Sequence, residues 1–236
     1  MLMRPLWGSQ KPEDLNDWLP LSQDLLRFFD EQAMGEVIGV GHSIGATVTL
    51  RAAIHEPERF RALILLEPAF FRPHFILFWN IIKSLGLGYH LHPLIPAAKR
   101  RRREFDDLEK LFRSYRRREI FRYLGDDSLR AYINGIMQPA SGAGHELIYS
   151  PEWETRIYYT GLSPDLDLWR GLPGLKTPIL IVRGAETDTF VESTARHVQR
   201  VRPETNILTL EKSTHLLPLE KPQVLFDAIS TFLDGL

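Results

Sequence analysis

The spacing of apolar positions changes repeatedly along the first third of the chain, and each change marks an element. From Pro20 to Gln32, Leu21, Leu25, Leu26, Phe28 and Phe29 recur at helical spacing among Asp24, Arg27 and Asp30, which predicts an amphipathic helix. Glu36–Gly41 then reads Glu-Val-Ile-Gly-Val-Gly, a short β-branched run without polar alternation, as expected for a strand covered on both faces of a parallel sheet. Ala46–His55 predicts a helix, and Arg61–Leu66 a second fully apolar strand. The order helix, strand, helix, strand argues for βαβ units.

From Phe71 to about Pro173 the pattern changes. Helical periodicity dominates and no core strand stands out; Phe105, Leu108, Leu111, Phe112 and Tyr115 are expected on one face of a highly charged helix. The alternation then resumes with a strand at Pro178–Val182, a helix at Val191–Val201, a strand near Asn206–Leu210 and a last helix from about Pro222 to Leu233, opened by its proline. The implied organisation is an α/β core made of residues 1–70 and 174–236, interrupted by an all-helical cap insertion at 71–173.

Charge and composition remove several functions. A formal net charge of −1 provides no whole-molecule attraction to nucleic acid or anionic lipid, so no nucleic-acid partner is expected. The basic run Lys99–Arg103, with Arg113, Arg116, Arg117, Arg118 and Arg122, is interleaved with Glu104, Asp106, Asp107, Glu109 and Glu119, which reads as a solvated, salt-bridged face. The absence of cysteine excludes disulfides, thiolate metal sites and cysteine nucleophiles. Trp7, Gly8, Pro12, Glu13 and Asp14 spoil a secretory leader in the first twenty residues, so cytoplasm is the expected compartment. The longest apolar stretch, Phe75–Ile82, is broken by Asn80, which is too short for a membrane span of ~20 residues and reads as a buried helix.

The candidate chemistry begins at Gly41-His-Ser-Ile-Gly45, a G-x-S-x-G set between an apolar strand and a helix. In that context Ser43 occupies a tight turn that lifts its hydroxyl above the strand ends, with glycine on both sides to avoid collisions with strand and helix. The following helix aims its N-terminus and the N–H of Ile44 at the place where an oxyanion would form. A serine hydroxyl needs a base, and the base needs a carboxylate to orient it. Of eight histidines, His42 is in the elbow, His55 and His197 fall in helices, and His74, His90, His92 and His145 fall in the insertion. His215 alone sits between the last strand and the last helix, where it can reach back over the sheet. The loop Arg183-Gly-Ala-Glu-Thr-Asp-Thr189 offers Asp188, the first choice for the acid, and Glu186; Glu67, ending the preceding strand, is an outside candidate.

Gly41–Gly45, Val182–Asp188 and Ser213-Thr-His-Leu-Leu-Pro-Leu-Glu-Lys-Pro222 together resemble the elbow, acid loop and histidine loop of the α/β-hydrolase superfamily, and within it the cap-bearing serine esterases and C–C bond hydrolases. The resemblance runs from about Leu21 to the C-terminus. It implies an α/β-hydrolase fold with a mostly parallel sheet and a helical cap insertion, its N-terminal strands truncated, because family members resemble one another in having several strands before the elbow. One of those ends in a His-Gly loop that supplies a second oxyanion N–H. Here only Arg4–Pro12 and one helix precede residue 43, with no His-Gly pair, so either the reading frame starts further upstream or the protein is a reduced one. Exposed sheet edge would favour pairing with a second chain, a homo-oligomer included.

These features predict a hydrolase with Ser43 as nucleophile, His215 as base, Asp188 as acid and Ile44 as oxyanion donor, needing no cofactor and no metal. A hydrophobic small-molecule ester is the expected substrate; the alternatives are carbon–carbon cleavage of a vinylogous diketone, or a catalytically weak or inactive truncated binding protein that has inherited the elbow. Phe70, Phe71, Phe75, Phe78, Trp79, Tyr89, Trp153, Tyr158, Tyr159 and Trp169 serve equally as an apolar substrate surface or as the cap's own core.

Overall fold

The computed structural model describes residues 11–163 and 165–236. The chain divides into two compact units, one holding Asp17–Ile81 with Leu162–Leu236, the other holding Ile82–Gly161 with residues 11–16. The division therefore falls inside the predicted insertion. Most of the helix Pro73–Ser84 and all of Leu162–Gly174 belong to the sheet-bearing unit.

That unit is built on four parallel strands in the order β1 (Val37–His42), β2 (Phe60–Leu66), β3 (Ile179–Gly184) and β4 (Asn206–Leu210). Strand alternation sorts the apolar residues to two faces. Leu63, Leu65, Ile179 and Ile181 join one buried cluster with Leu26 and Phe29 of α1 (Leu19–Glu31), Ala46 and Leu50 of α2 (Ile44–His55), and Ala195 and Val198 of α3 (Glu192–Val201). Ile64, Leu66, Leu180 and Val182 join the other, under Leu217 and Leu225, the latter on α4 (Pro222–Asp234). Side chains such as Leu65, wholly removed from water, contribute about 1.5–3 kcal/mol each.

β1 departs from the expectation of a strand covered on both faces. It is an edge strand among the described residues, and Ile38 and Val40 are 40% and 57% exposed. Val40 is in register with Ile64, so both sit on the second face, where α4 packs with Leu180, Val182 and Leu210 of β3 and β4. The apolar helix Pro73–Ser84 differs as well: it buries Ile76 and Trp79 while Leu77, Phe78 and Ile81 are exposed, so a continuous apolar run here does not mark a fully buried helix.

Two side-chain arrangements brace the return from the insertion into the sheet. Trp169 stacks on Phe70 with ring centroids 4.2 Å apart and donates from Nε1 to the carbonyl of Phe71. Arg51, fully buried on α2, donates from Nη2 to the equally buried Asp165 at 2.5 Å and from Nε to Asp167 at 3.1 Å.

The second unit is not all-helical. Glu104–Phe105 and Met137–Pro139 flank His145–Leu147 in a three-stranded antiparallel sheet, so Phe105 lies on a strand and not on the charged helix. Gly144 closes this sheet at φ +91°, where a Cβ would come within 2.7 Å of the Phe105 carbonyl oxygen. The helix Leu108–Arg116 buries Leu111, Phe112 and Tyr115 and is capped by Asp107, whose carboxylate accepts from the N–H groups of Glu109 and Lys110. Much of the basic run pairs within this unit: Arg101 with Glu154, Arg102 with Asp106, Arg103 with Glu146, Arg116 with Asp126 and Arg122 with Glu119. A cavity of about 850 Å³ lies between Phe105, Leu111, Tyr115, Phe121, Tyr132 and Tyr158. Among the described residues no helix is long and apolar enough to cross a membrane.

Candidate active site

The strand register places the site. His42 pairs with Leu66 and Leu66 with Val182, so residues 43, 67 and those after 182 emerge along one rim of the sheet. Ser43 leaves β1 at φ +55°, ψ −122°, a conformation disfavoured for a side chain bearing Cβ and held by its neighbours. Its N–H donates to Leu66, and its carbonyl accepts from Ala46, Thr47 and Ala69. Gly41 makes the turn sterically feasible, because a Cβ there would lie 2.5 Å from the Gly45 carbonyl oxygen. The expectation for Gly45 itself is corrected: a Cβ at 45 would meet nothing within 4 Å, so crowding is one-sided. Ile44 is the first residue of α2, where the leading N–H groups have no acceptor within the helix. The stretch Arg4–Pro12, singled out for its missing His-Gly pair, lies outside the described residues except for its last two positions.

His215 hangs from the loop after β4. Thr214 ties that loop to Glu220 through its N–H at 2.7 Å and its hydroxyl at 2.6 Å, while the Ser213 hydroxyl donates to Leu210. The imidazole Nε2 lies 2.8 Å from Ser43 Oγ. Its other nitrogen, Nδ1, lies 3.4 Å from Oε2 of Glu67, a fully buried carboxylate. With Nδ1 donating to the carboxylate, Nε2 presents its lone pair to the serine hydroxyl, the tautomer required of a base.

Glu67 follows β2 directly, at φ +46°. Its N–H donates to Val182, Oε1 accepts from the N–H of Gly184 at 2.5 Å, and Oε2 accepts from the Thr187 hydroxyl. These donors hold a buried carboxylate that, among the described residues, pairs with no lysine or arginine.

Asp188 is elsewhere. Its side chain is exposed, and its Oδ1 accepts from the hydroxyl of the adjacent Thr189 at 3.3 Å. Glu186 is exposed too. The structure thus brings Ser43 and His215 together, and it places Glu67, not Asp188, beside the imidazole. The reason is sheet order: β2 lies between β1 and β3, so the residue after β2 stands beside the nucleophile strand, and the next loop supplies Gly184 and Thr187 as donors to it. The signal available in the sequence was the carboxylate immediately after the apolar run that follows the elbow helix.

Such an arrangement can take a proton from a hydroxyl, stabilise the resulting imidazolium and return the proton to a leaving group. Among the described residues no group of three or more histidine and carboxylate side chains is placed to hold a metal ion.

Residues 4–228 match the Alpha/beta hydrolase family. The chain is 24% identical over 230 residues to the 2-(acetamidomethylene)succinate hydrolase of Mesorhizobium japonicum, an alignment covering 96% of this chain and 74% of that protein. Among solved structures, an alpha/beta hydrolase from Novosphingobium aromaticivorans superposes with a TM-score of 0.74 at 19% identity, over 97% of this chain and 75% of the other. An esterase from M. tuberculosis superposes with a TM-score of 0.71 at 19% identity, over 97% and 73%. The structural likenesses show the same fold over nearly all of the sequence, and the family match over residues 4–228 shows that this chain belongs to the alpha/beta hydrolase family.

Proposed function

We propose that the protein hydrolyses a carboxylic ester of a hydrophobic small molecule through an acyl-enzyme, with Ser43 as nucleophile, His215 as base and acid, and Glu67 as the carboxylate that orients and stabilises the imidazole. The observation that carries this reading is the 2.8 Å separation of His215 Nε2 and Ser43 Oγ, with Glu67 behind the ring. Ser43 Oγ adds to the ester carbonyl as its proton passes to His215 Nε2, and the Ile44 N–H donates to the resulting oxyanion. The tetrahedral species expels the alkoxide, which takes that proton from His215 and leaves as the alcohol. Water then adds to the acyl carbonyl, giving its proton to His215; collapse releases the carboxylic acid and returns the proton to Ser43.

The aromatic content of the insertion supports a hydrophobic substrate class, and the esterase among the structural neighbours is compatible with ester chemistry.

The test is labelling by a fluorophosphonate probe, with mass spectrometry to locate the adduct, alongside turnover of short p-nitrophenyl esters and of a ring-fission diketone. Labelling at Ser43, lost in Ser43→Ala, with ester turnover is the expected result. Turnover of the diketone alone would replace ester hydrolysis by carbon–carbon cleavage. A folded chain that neither labels nor turns over either substrate would refute the reading in favour of a binding role.

A further inference from the structure

His42 sits beside the nucleophile and has no role in the reaction as written. It is the last residue of β1, and strand alternation sends it to the face of Ile64 and Leu66, the face on which Leu217 packs just beyond the histidine loop. There its Nε2 lies 2.7 Å from the main-chain carbonyl oxygen of His215, and the two imidazole rings lie 4.9 Å apart between centroids. A carbonyl oxygen only accepts, so Nε2 of His42 carries the hydrogen.

We infer that His42 is a positioning residue that anchors the backbone of His215, so that the nucleophile strand grips the general base at two points. Ser43 meets the imidazole and His42 meets the carbonyl of the same residue. A histidine on a loop has freedom in both its backbone and its χ angles; Glu67 restrains the ring, and His42 restrains the main chain from which the ring swings. Burial and the neighbouring His215 ring lower the His42 pKa, which keeps its imidazole neutral. A neutral His42 donates to that carbonyl without placing a second positive charge against the His215 imidazolium.

This role rests on the serine-hydrolase reading, and the experiment separates the two. The rate of fluorophosphonate labelling at Ser43 and the kcat and KM for p-nitrophenyl butyrate are measured for the full chain and for His42→Phe, His42→Gln and His42→Asn. Phenylalanine keeps the ring and removes the donor. The glutamine amide nitrogen reaches to about where Nε2 lies, whereas that of asparagine stops near the position of Nδ1. Labelling and kcat should fall about 10–100-fold in His42→Phe and His42→Asn, with KM changed little, as expected for a misplaced catalytic group. His42→Gln should recover most of the loss, and the Gln-to-Asn contrast decides the matter if His42→Phe does not fold. Wild-type labelling that His42→Phe or His42→Asn leaves unchanged overturns the positioning role alone, as does an equal loss in His42→Gln and His42→Asn. A wild-type chain that does not label overturns the hydrolase reading and this role with it.

Discussion

The loops that follow β2 and β3 each carry carboxylates at the same rim of the sheet, yet only the first places one beside His215. Glu67 emerges directly from β2 with no intervening residue, is fully buried, and has two donors besides His215. Asp188 is four residues beyond β3, exposed, and engaged with the adjacent threonine. The difference lies in what surrounds each group more than in its distance along the chain. A carboxylate whose oxygens are already saturated by fixed donors presents its charge in one direction, whereas an exposed one is solvated and turns freely.

Replacing the buried acid gives the largest effect and breaks the comparison most directly. Glu67→Gln removes the charge that stabilises the imidazolium and offers Nδ1 an amide that can hold the ring in the wrong tautomer. We expect kcat on p-nitrophenyl esters to fall about 10³–10⁴-fold, the scale known for the equivalent change in a serine protease triad. A loss of less than tenfold with the protein folded would remove Glu67 from the reaction.

The next effect sharpens the comparison by altering the neighbour of Glu67. Thr187→Val keeps the side-chain shape but removes the hydroxyl that donates to Glu67. Leaving that buried oxygen short of a partner should cost about 1–3 kcal/mol in urea unfolding. If about 1.4 kcal/mol of this is felt in the transition state, kcat falls roughly tenfold. Unchanged unfolding and unchanged kcat would mean that the Gly184 N–H alone suffices to hold Glu67.

What could be read from the sequence, and what could not, follows the same division between local and distant causes. The helices and core strands of the sheet unit fall within a residue or two of the apolar periodicities, because α1, α2, β2 and β4 each carry their burial pattern in consecutive residues. The meeting of Ser43 and His215 was legible from the strand-to-helix setting of the glycines around residue 43 and from the place of residue 215 between the last strand and the last helices. Glu67 could not be ranked above Asp188, because the ranking depends on β2 standing between β1 and β3, a pairing of segments more than a hundred residues apart in sequence. The small antiparallel sheet escaped for another reason: strands of two and three residues are too short to display alternation. The exposure of Ile38 and Val40 is likewise a property of the neighbours β1 lacks among the described residues, which its own apolar run does not encode.

The smallest expected effect is the most discriminating. Asp188→Asn removes a charge from an exposed side chain whose partner is the hydroxyl of the next residue. A surface change of this kind should alter stability by no more than about 0.5 kcal/mol and kcat by no more than about twofold. Asn preserves shape and hydrogen-bonding capacity, so any larger loss would have to come from the missing charge. A fall approaching that of Glu67→Gln would show that the loop after β3 moves in the working enzyme and that Asp188 takes over behind His215. A flat result beside a large loss in Glu67→Gln would place the acid after β2, one strand closer to the nucleophile than the loop that carries the more conspicuous carboxylates.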